Sequence, residues 1–196
     1  MKKNTWYNKK LLKLSWQRGM PPEDMMVKQV YGVAFDSHGR ILLKIDETNI
    51  NPDYNLAGGK PELFDRDISD TLKREFIEEV NTSLMDNPVV VGYQTVEGDN
   101  CPVYAQIRMA CIINHIGERL PDGDNGKIYK RLLCSPKRAI ELLSWDDIGE
   151  KLIDDSCDTA KKYFNITYYG TADVGNRHTY KNKFKAIKQI GFMRFL

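Results

Sequence analysis

The sequence predicts a single mixed α/β domain. Two strand-like segments joined by a short turn precede a helix with apolar residues four apart, and a long alternating strand follows that helix. The chain has 196 residues, 41% of them hydrophobic and 29% charged, which is enough to enclose a core. We divide it into a basic N-terminal extension (1–28), the main domain (29–165) and a basic aromatic C-terminal extension that packs on the domain (166–196).

Composition excludes several classes of protein. The 14 Gly and 8 Pro are ordinary usage, so the chain is neither collagen-like nor wholly disordered. No apolar run approaches the roughly 20 residues that a membrane-spanning helix needs, and no signal-peptide core follows the basic N-terminus. We therefore expect a cytoplasmic protein without a membrane partner. Neither a zinc knuckle nor a disulfide scaffold is indicated by the spacing of the four cysteines, Cys101, Cys111, Cys134 and Cys157.

The net charge of +2 hides an uneven distribution. Residues 1–22 carry six Lys or Arg and no acid, and residues 161–196 have a balance of +7, which leaves −11 for the residues between them. An acidic centre between basic ends suits a site where carboxylates hold metal cations and cationic groups meet an anionic substrate. Two solvated basic ends are the alternative.

The first half of the domain contains two strands and a helix. Gln29–Asp36 and Arg40–Asp46 are predicted to be strands joined by a short turn. Gly58 and Gly59 follow a loop, and their bare backbone can approach an ion or a phosphate. The helical pattern covers Ile68–Val80.

The second half begins with strands and ends with helices. Pro88–Val96 is strand-like, Pro102–His115 alternates along its length, and 117–127 is a turn-rich loop. Helices are predicted at about 135–143 and near 158–163.

The alternating strand is predicted to have one buried face and one mostly polar face. On the polar face Arg108 is a candidate for phosphate binding and Tyr104 for stacking on a base, with Gln106 between them. A cross-strand salt bridge is the alternative use of Arg108. The predicted buried face consists of Val103, Ala105, Ile107, Met109, Cys111 and Ile113.

Three carboxylates fall within five positions of the predicted helix. At about 100° per residue they share one arc of the helix beside the buried arc. Like charges this close repel, so a compensating cation is expected. Mg²⁺ is a suitable cation, because it prefers oxygen ligands and usually shares carboxylates with substrate phosphates. The alternative interpretation is an acidic helix face that is exposed to solvent and binds no ion. The three carboxylates are those of Glu75, Glu78 and Glu79.

This stretch resembles the box of the Nudix hydrolase family. The box is a Gly, five residues, a Glu, seven residues, and then Arg-Glu-apolar-x-Glu-Glu-x-Gly and an apolar residue. Other pieces of the chain are similar to a bacterial Nudix subfamily of undefined substrate, and 139–163 is loosely similar to the end of ADP-ribose pyrophosphatases. The resemblance implies a Nudix-type α/β/α sandwich around a mixed β-sheet. The matching residues are Gly59, Arg74, Glu75, Phe76, Glu78 and Glu79.

The sequence departs from the box in three places. Asp65 stands where the loop Glu is expected, and eight residues rather than seven separate it from Arg74. Asn81 replaces the closing Gly, and Asn is the best other residue for a left-handed helix cap. The resemblance implies that Arg74 pairs with Asp65 or with a box glutamate and holds that carboxylate in place. The extra residue changes the spacing on which the pairing with Asp65 depends, but it does not change the spacing of the glutamates.

The resemblance also implies a role for each box residue. Members of the family hydrolyse a diphosphate linked to another moiety, with Mg²⁺ or Mn²⁺. Glu75 and Glu79 would be metal ligands, and Glu78 a ligand or the base for the attacking water. The carbonyl of Gly59 would also face the metal. Some members place the base on a loop outside the box, and the sequence does not choose among Glu97, Asp99, Glu118 and Glu141.

We expect a metal-dependent pyrophosphohydrolase that acts on a nucleoside diphosphate derivative such as ADP-ribose. The alternative is a Nudix-fold nucleotide sensor whose basic C-terminus contacts nucleic acid or a protein partner. Three crowded glutamates favour the enzyme, because a pure sensor has no need of them. The identity of the nucleotide and the formation of a homodimer stay open.

Overall fold

A mixed β-sheet runs through the molecule. The computed structural model describes residues 2–7, 10–48, 50–98, 101–175 and 180–181. Within these ranges no helix is long and apolar enough to cross a membrane. In chain order the strands are β1 (Lys2–Tyr7), β2 (Lys10–Arg18), β3 (Val27–Phe35), β4 (Ile41–Asp46), β5 (Asp53–Asn55), β6 (Ala57–Gly59), β7 (Thr82–Leu84), β8 (Val89–Gly98), β9 (Cys101–Ile116), β10 (Lys130–Cys134) and β11 (Tyr180–Lys181).

The strand order along the sheet is β1-β2-β8-β9-β3-β4-β10, and the four remaining short strands pair beside this path. β3 and β9 are parallel, whereas the other neighbours on the path are antiparallel. The mixed sheet is therefore confirmed. The parallel pairing sets Tyr31 opposite Arg108 at the centre of the sheet.

The first helix, α1, spans Ile68–Val80 as predicted. The Asp67 carboxylate accepts hydrogen bonds from the backbone N–H groups of Ser69 at 2.7 Å and Asp70 at 2.9 Å, which satisfies donors left free at the helix start. Asn81 ends the helix in the left-handed conformation, at φ 42° and ψ 53°. The expected use of Asn in place of Gly at this cap is confirmed.

Helices cover both faces of the sheet, which confirms the α/β/α sandwich. The helices after α1 are α2 (Pro136–Leu143) and α3 (Asp146–Phe164). On one face Phe76 of α1 packs in a core with Ile107 of β9, and on the other Leu152 of α3 packs with Phe35 of β3. α3 is longer than the helix predicted near 158–163. Its first half contains acidic residues and a Gly, which weaken the helical pattern.

Two expectations for β9 are wrong. Val103 is 42% exposed rather than buried, because it lies near the turn that joins β8 to β9. The opposite face is not mostly polar, since Ala110 and Ile112 are buried in the core that also contains residues of α2 and α3. Alternation along one strand does not reveal that helices cover both of its faces.

The N-terminal extension contributes strands that the sequence analysis did not predict. β1 and β2 form an antiparallel hairpin, and residues 12–18 of β2 pair with β8. Trp16 is buried, and its indole Nε1 donates a hydrogen bond to Asp155 of α3 at 2.8 Å. Leu12, Leu14 and Trp16 alternate with polar residues, a strand pattern that the surrounding lysines obscure.

The described start of the C-terminal extension packs on the domain. Ile166 is buried, and the Tyr169 hydroxyl donates a hydrogen bond to the carbonyl of Cys157 at 3.3 Å. Residues 176–179 and 182–196 lie outside the described residues and carry most of the basic charge of the extension. Packing of the whole extension therefore stays a prediction.

The three cysteines whose side chains are described are free thiols. Cys111 and Cys134 are buried, and Cys157 is half-buried. The side chain of Cys101 lies outside the described residues, so the absence of a disulfide scaffold stays a prediction.

Candidate functional site

Gly58 and Gly59 bring the backbone of β6 against α1. Gly58 has φ +146°, which side chains rarely adopt, and a Cβ there would overlap the carbonyl of Val30. A Cβ on Gly59 would overlap the carboxylate of Glu75. The Gly58 N–H donates a hydrogen bond to Oε2 of Glu79 at 2.9 Å. Two glutamates are thus held against bare backbone, an approach that glycine permits.

Arg74 ties the loop before α1 to the helix. Its Nε and Nη2 donate to the two carboxylate oxygens of Asp65 at 3.2 and 3.1 Å. Nη1 donates to Glu75 at 3.1 Å and to Glu78 at 2.8 Å. Nη2 also donates to the carbonyl of Lys60 at 2.8 Å. One largely buried cation therefore orients three carboxylates.

A second cation, Lys44 of β4, forms an ion pair with Glu79. Both side chains are largely buried, and the Lys44 ammonium lies 4.7 Å from the centre of the Tyr129 ring. Together with the N–H of Gly58, this pair occupies both carboxylate oxygens of Glu79. The compensating cation that crowded glutamates require is thus supplied by Lys44 as well as Arg74.

Arg74 and Lys44 do not fully offset the burial of the carboxylate cluster, which consists of Glu75, Glu78 and Glu79. Burial raises the pKa of Glu75 to about 7, and the nearby Glu79 adds to this rise although Arg74 opposes it. Burial also raises the pKa of Glu79, against the effect of Lys44. A raised carboxyl pKa means that the ionised form is disfavoured at the site. An additional cation would therefore stabilise the ionised cluster.

A fourth carboxylate, that of Asp122, lies near Glu79 and was not predicted. Its negative charge contributes to the raised pKa of Glu79, and the residue is buried. The Asp122 Oδ1 accepts a hydrogen bond from the N–H of Asp124 at 2.8 Å, so a tight turn fixes its position. In the sequence, Asp122 can be recognised only as an acidic residue in a loop that contains glycines. Only the fold brings that loop, between β9 and β10, beside α1.

A cavity of about 310 Å³ lies on the face of the sheet that α3 covers, with Trp145 and Ile148 in its wall. Tyr31 connects this cavity to the glutamates of α1, because it lines the cavity and its ring lies beside the backbone of Gly58, whose N–H donates to Glu79. Burial raises the pKa of Tyr31; Arg108 opposes this rise, and the negative charges of Glu79 and Glu75 add to it. The other lining residues are Lys3, Leu14, Asn55, Gln94, Gln106, Arg108 and Ser144.

Arg108 is the buried cation of the cavity wall, only 4% exposed. The centre of its guanidinium lies 4.4 Å from the centre of the Tyr31 ring and 5.8 Å from that of Trp145. Nη2 donates to Oε1 of Gln106 at 3.1 Å, and Nε has no hydrogen-bond partner among the described residues. Burial lowers the pKa of Arg108 to about 10. Gln106 and Arg108, both predicted to contact substrate, thus meet in one cavity.

Comparison with known proteins identifies the fold. No protein-family model and no curated protein matches the sequence. Among solved structures, the Bacillus subtilis pyrophosphohydrolase BsRppH superposes with a TM-score of 0.54 at 15% identity, over 76% of this chain and 92% of that one. A Nudix hydrolase from Nitrosomonas europaea gives a TM-score of 0.51 at 15% identity, over 68% of this chain and 90% of that one. The chain has the Nudix fold.

In this Nudix fold the residues of the box lie where α1 packs on β6. The structure brings Gly59 together with Glu75, and Arg74 with Glu75 and Glu78. Glu79 lies against Gly58. Their catalytic and metal-binding roles remain predictions.

Tyr104 is not among the described residues that line the cavity. Its ring instead lies under the ammonium group of Lys28, 4.4 Å from the ring centre. The salt bridge considered for Arg108 is also not found within the described ranges, where burial and the Tyr31 ring dominate its surroundings. Of the three predicted substrate contacts, Gln106 and Arg108 lie in the cavity and Tyr104 does not.

Two of the loop acids considered as general bases form ion pairs on the surface. Glu97 pairs with Lys13 at 2.7 Å, and Glu141 pairs with Arg138 at 3.0 Å, all with exposed side chains. Glu118 is exposed, and its backbone carbonyl accepts a hydrogen bond from Asn81 Nδ2 at 2.6 Å, next to the end of α1. Asp99 lies outside the described residues. Asp122 is a further loop acid, and its negative charge contributes to the raised pKa of Glu79.

The donor set between α1 and β6 suits a hard divalent cation. Within the parts of the chain that the structure describes, no three His, Cys, Asp or Glu side chains form a ready-made metal site. The donors are nevertheless all oxygens, and the carboxyl groups of Glu75 and Glu79 have raised pKa values. Mg²⁺ and Mn²⁺ prefer such oxygen ligands, so the chemistry of the residues fits these ions.

Proposed function

We propose that this protein hydrolyses the diphosphate bond of a nucleoside diphosphate linked to another moiety, in a reaction that depends on Mg²⁺ or Mn²⁺. The observation that carries the proposal is the packing of the Glu75 carboxylate against Gly59, beside Glu79. The Nudix fold supports it, because the similar structure BsRppH is a pyrophosphohydrolase.

The box glutamates would hold the metal. Glu75, Glu78 and Glu79 are the side-chain ligands in this proposal, with the carbonyl of Gly59. The ion supplies Lewis-acid chemistry, since it neutralises charge on the phosphoryl oxygens. Arg74 acts through these ligands: its bonds to Glu75 and Glu78 orient them.

A carboxylate of the cluster accepts the proton of the attacking water. Glu78 is one candidate, because the resemblance assigns it as a ligand or base and its side chain is the most exposed of the three glutamates. Asp122 is the other, because it reaches the neighbourhood of Glu79 from a separate loop. A general base must lie within hydrogen-bond reach of the attacking water.

The cavity would bind the moiety attached to the diphosphate. Its volume of about 310 Å³ is at the lower end of the range for small-molecule sites. Aromatic and amide side chains line it, and Tyr31 links it to the carboxylates. Gln106 and Arg108 are the proposed contacts. A cytoplasmic location and a homodimer remain predictions.

The proposal is tested with a panel of diphosphate compounds. ADP-ribose, NADH, diadenosine polyphosphates, nucleotide sugars and capped RNA are incubated with the protein and Mg²⁺, with and without EDTA, and ³¹P NMR identifies the products. Turnover of one class that EDTA abolishes supports the proposal. Turnover that persists in EDTA contradicts the metal dependence. Tight binding of a nucleotide without turnover of any compound favours the sensor.

A further inference from the structure

The charged side chains that line the cavity are cationic. Among its described lining residues, Lys3 and Arg108 are cationic and none is acidic. The remaining polar residues of the wall are neutral amides and hydroxyl groups. This contrasts with the acidic edge of α1 on the other side of Tyr31.

Arg108 has unused hydrogen-bonding capacity. Its guanidinium offers five N–H donors. Nη2 donates to the Gln106 side chain at 3.1 Å, and Nη1 makes a weak 3.4 Å contact with the carbonyl of Ile107. Nε has no hydrogen-bond partner among the described residues. A buried cation without an anionic partner is unfavourable, and the Tyr31 ring offsets this only in part. The arrangement therefore favours an incoming anion.

Two further groups border the same cavity. Lys3 of β1 lines it and pairs with the exposed carboxylate of Asp146, an ion pair of the kind that contributes little and can rearrange. Trp145 precedes the first turn of α3, and no side chain caps this helix. The start of a helix carries partial positive charge, but Asp146 and Asp147 in this first turn offset it, so the preference for an anion rests on the two cationic side chains.

We propose that the moiety attached to the diphosphate carries a further anionic group, a phosphomonoester or a carboxylate, which binds Arg108 and Lys3 in this cavity. The inference rests on the proposed function, because it assigns chemistry to the substrate of the same site. The planar fork of arginine matches both anions in a two-point contact. A neutral sugar or base in the cavity would leave the Arg108 charge without a counterion.

Isothermal titration calorimetry of the full chain, stripped of metal with EDTA and then dialysed into chelator-free buffer, tests the proposal without any need for catalysis. The probes are ribose, ribose 5-phosphate, ribonate and guanosine. We expect the better of the two anions to bind about tenfold or more tightly than ribose, as hydrogen bonds to charged groups allow. Preference for ribose 5-phosphate or for ribonate distinguishes a phosphate from a carboxylate. Equal binding of ribose, or tighter binding of guanosine than of either anion, overturns the proposal.

Variants assign the effect to the two cations. Arg108→Met removes the charge and keeps much of the length, and we expect it to reduce anion binding to the level of ribose. Lys3→Met is expected to weaken anion binding severalfold, whereas Lys2→Met, on the exposed neighbour, is expected to change nothing. If circular dichroism shows that Arg108→Met is unfolded, the proposal is judged from the binding of the four probes to the wild type and from the effects of Lys3→Met and Lys2→Met.

The two proposals fail separately. Anion binding without hydrolysis of any panel compound overturns the proposed function and leaves the anion site in place. Metal-dependent hydrolysis of compounds with neutral moieties, with no preference for either anionic probe, overturns only the anion site.

Discussion

Arg74 and Asp65 form a two-point ion pair, with N–O distances of 3.2 and 3.1 Å. The loop accommodates the shorter side chain and the extra residue, because the Glu62 N–H and the Thr71 hydroxyl each donate to Asp65 Oδ2 at 2.9 Å. The pKa of Asp65 is lowered to about 2, chiefly by the hydrogen bonds from Arg74. Arg74 and Asp65 therefore pair despite the altered spacing, and this pair holds the Arg74 guanidinium within hydrogen-bonding distance of Glu75 and Glu78.

Asp65→Asn is expected to reduce kcat/KM by roughly 10- to 100-fold, the usual effect of losing a group that orients metal ligands. Asn cannot hold both nitrogen donors of Arg74, so the glutamates lose their orientation. Steady-state kinetics on the substrate found in the panel measures the effect. Asp70→Asn is the control, because its partner Arg66 is an exposed surface residue. Equal activity of the two variants would refute a positioning role for Asp65.

The stability of the metal-free protein is expected to fall as the pH rises from 5 to 8. The pKa of Glu75 is raised from 4.5 to about 7 in the folded protein, so the folded state binds more protons than the unfolded state between these values. The stabilisation is complete below about pH 4.5 and is lost as the pH rises through about 7. The shift corresponds to about 3 kcal/mol in the free energy of unfolding.

Thermal unfolding in EDTA at several pH values measures this dependence. Glu75→Gln is expected to flatten the profile, because the amide does not titrate. Mg²⁺ is expected to reduce the loss of stability at high pH, since a bound cation favours the ionised carboxylate. A wild-type melting temperature that rises between pH 5 and 8 in EDTA would contradict the raised Glu75 pKa.

Asp122→Asn is expected to lower kcat by roughly 10²- to 10⁴-fold if Asp122 takes the proton of the attacking water. The amide keeps the Oδ1 acceptor for the Asp124 N–H, so the turn is preserved. Asp124→Asn, two residues away on the exposed surface, is the matched control. Unchanged kcat in Asp122→Asn, measured with saturating substrate and Mg²⁺, would leave Glu78 as the base.

Asp155→Ala is expected to destabilise the protein by about 3 kcal/mol, the range for breaking a buried charged network. Asp155 is fully buried, accepts from the Trp16 indole at 2.8 Å and pairs with Lys151 at 2.7 Å. Urea denaturation followed by circular dichroism gives the free energy of unfolding. Asp158→Ala, at an exposed position of the same helix, is expected to cost far less. Similar losses in both variants would argue against the anchoring of β2.

Local patterns predicted the elements whose signals are contained in a few residues. The helix Ile68–Val80 has both a capping Asp67 and an apolar period, and its glutamates follow from their spacing. The hairpin of β1 and β2 was missed because lysines obscure its alternating apolar residues. α3 was predicted too short because its first half lacks a strong apolar period.

Long-range contacts set the parts of the site that the sequence could not reveal. Asp122 is 43 residues from Glu79 and reaches it only because β9 carries the chain across the sheet. Lys44 pairs with Glu79 from a different strand, and Lys3 meets Arg108 in a cavity built from both ends of the domain. Tyr104 shares a strand with Arg108, but it lies away from the cavity. Sharing a strand with a site residue does not place a side chain at the site.

The most direct test of the carboxylate centre compares Glu79→Gln with Glu97→Gln in hydrolysis of the diphosphate panel with Mg²⁺. Both changes remove one charge from a glutamate that pairs with a lysine, but Glu79 lies in the cluster and Glu97 lies on the exposed surface. We predict that Glu79→Gln loses turnover at least 100-fold while it stays folded, and that Glu97→Gln matches the wild type. Wild-type turnover in Glu79→Gln would contradict the assignment of the carboxylates between α1 and β6 as the catalytic centre.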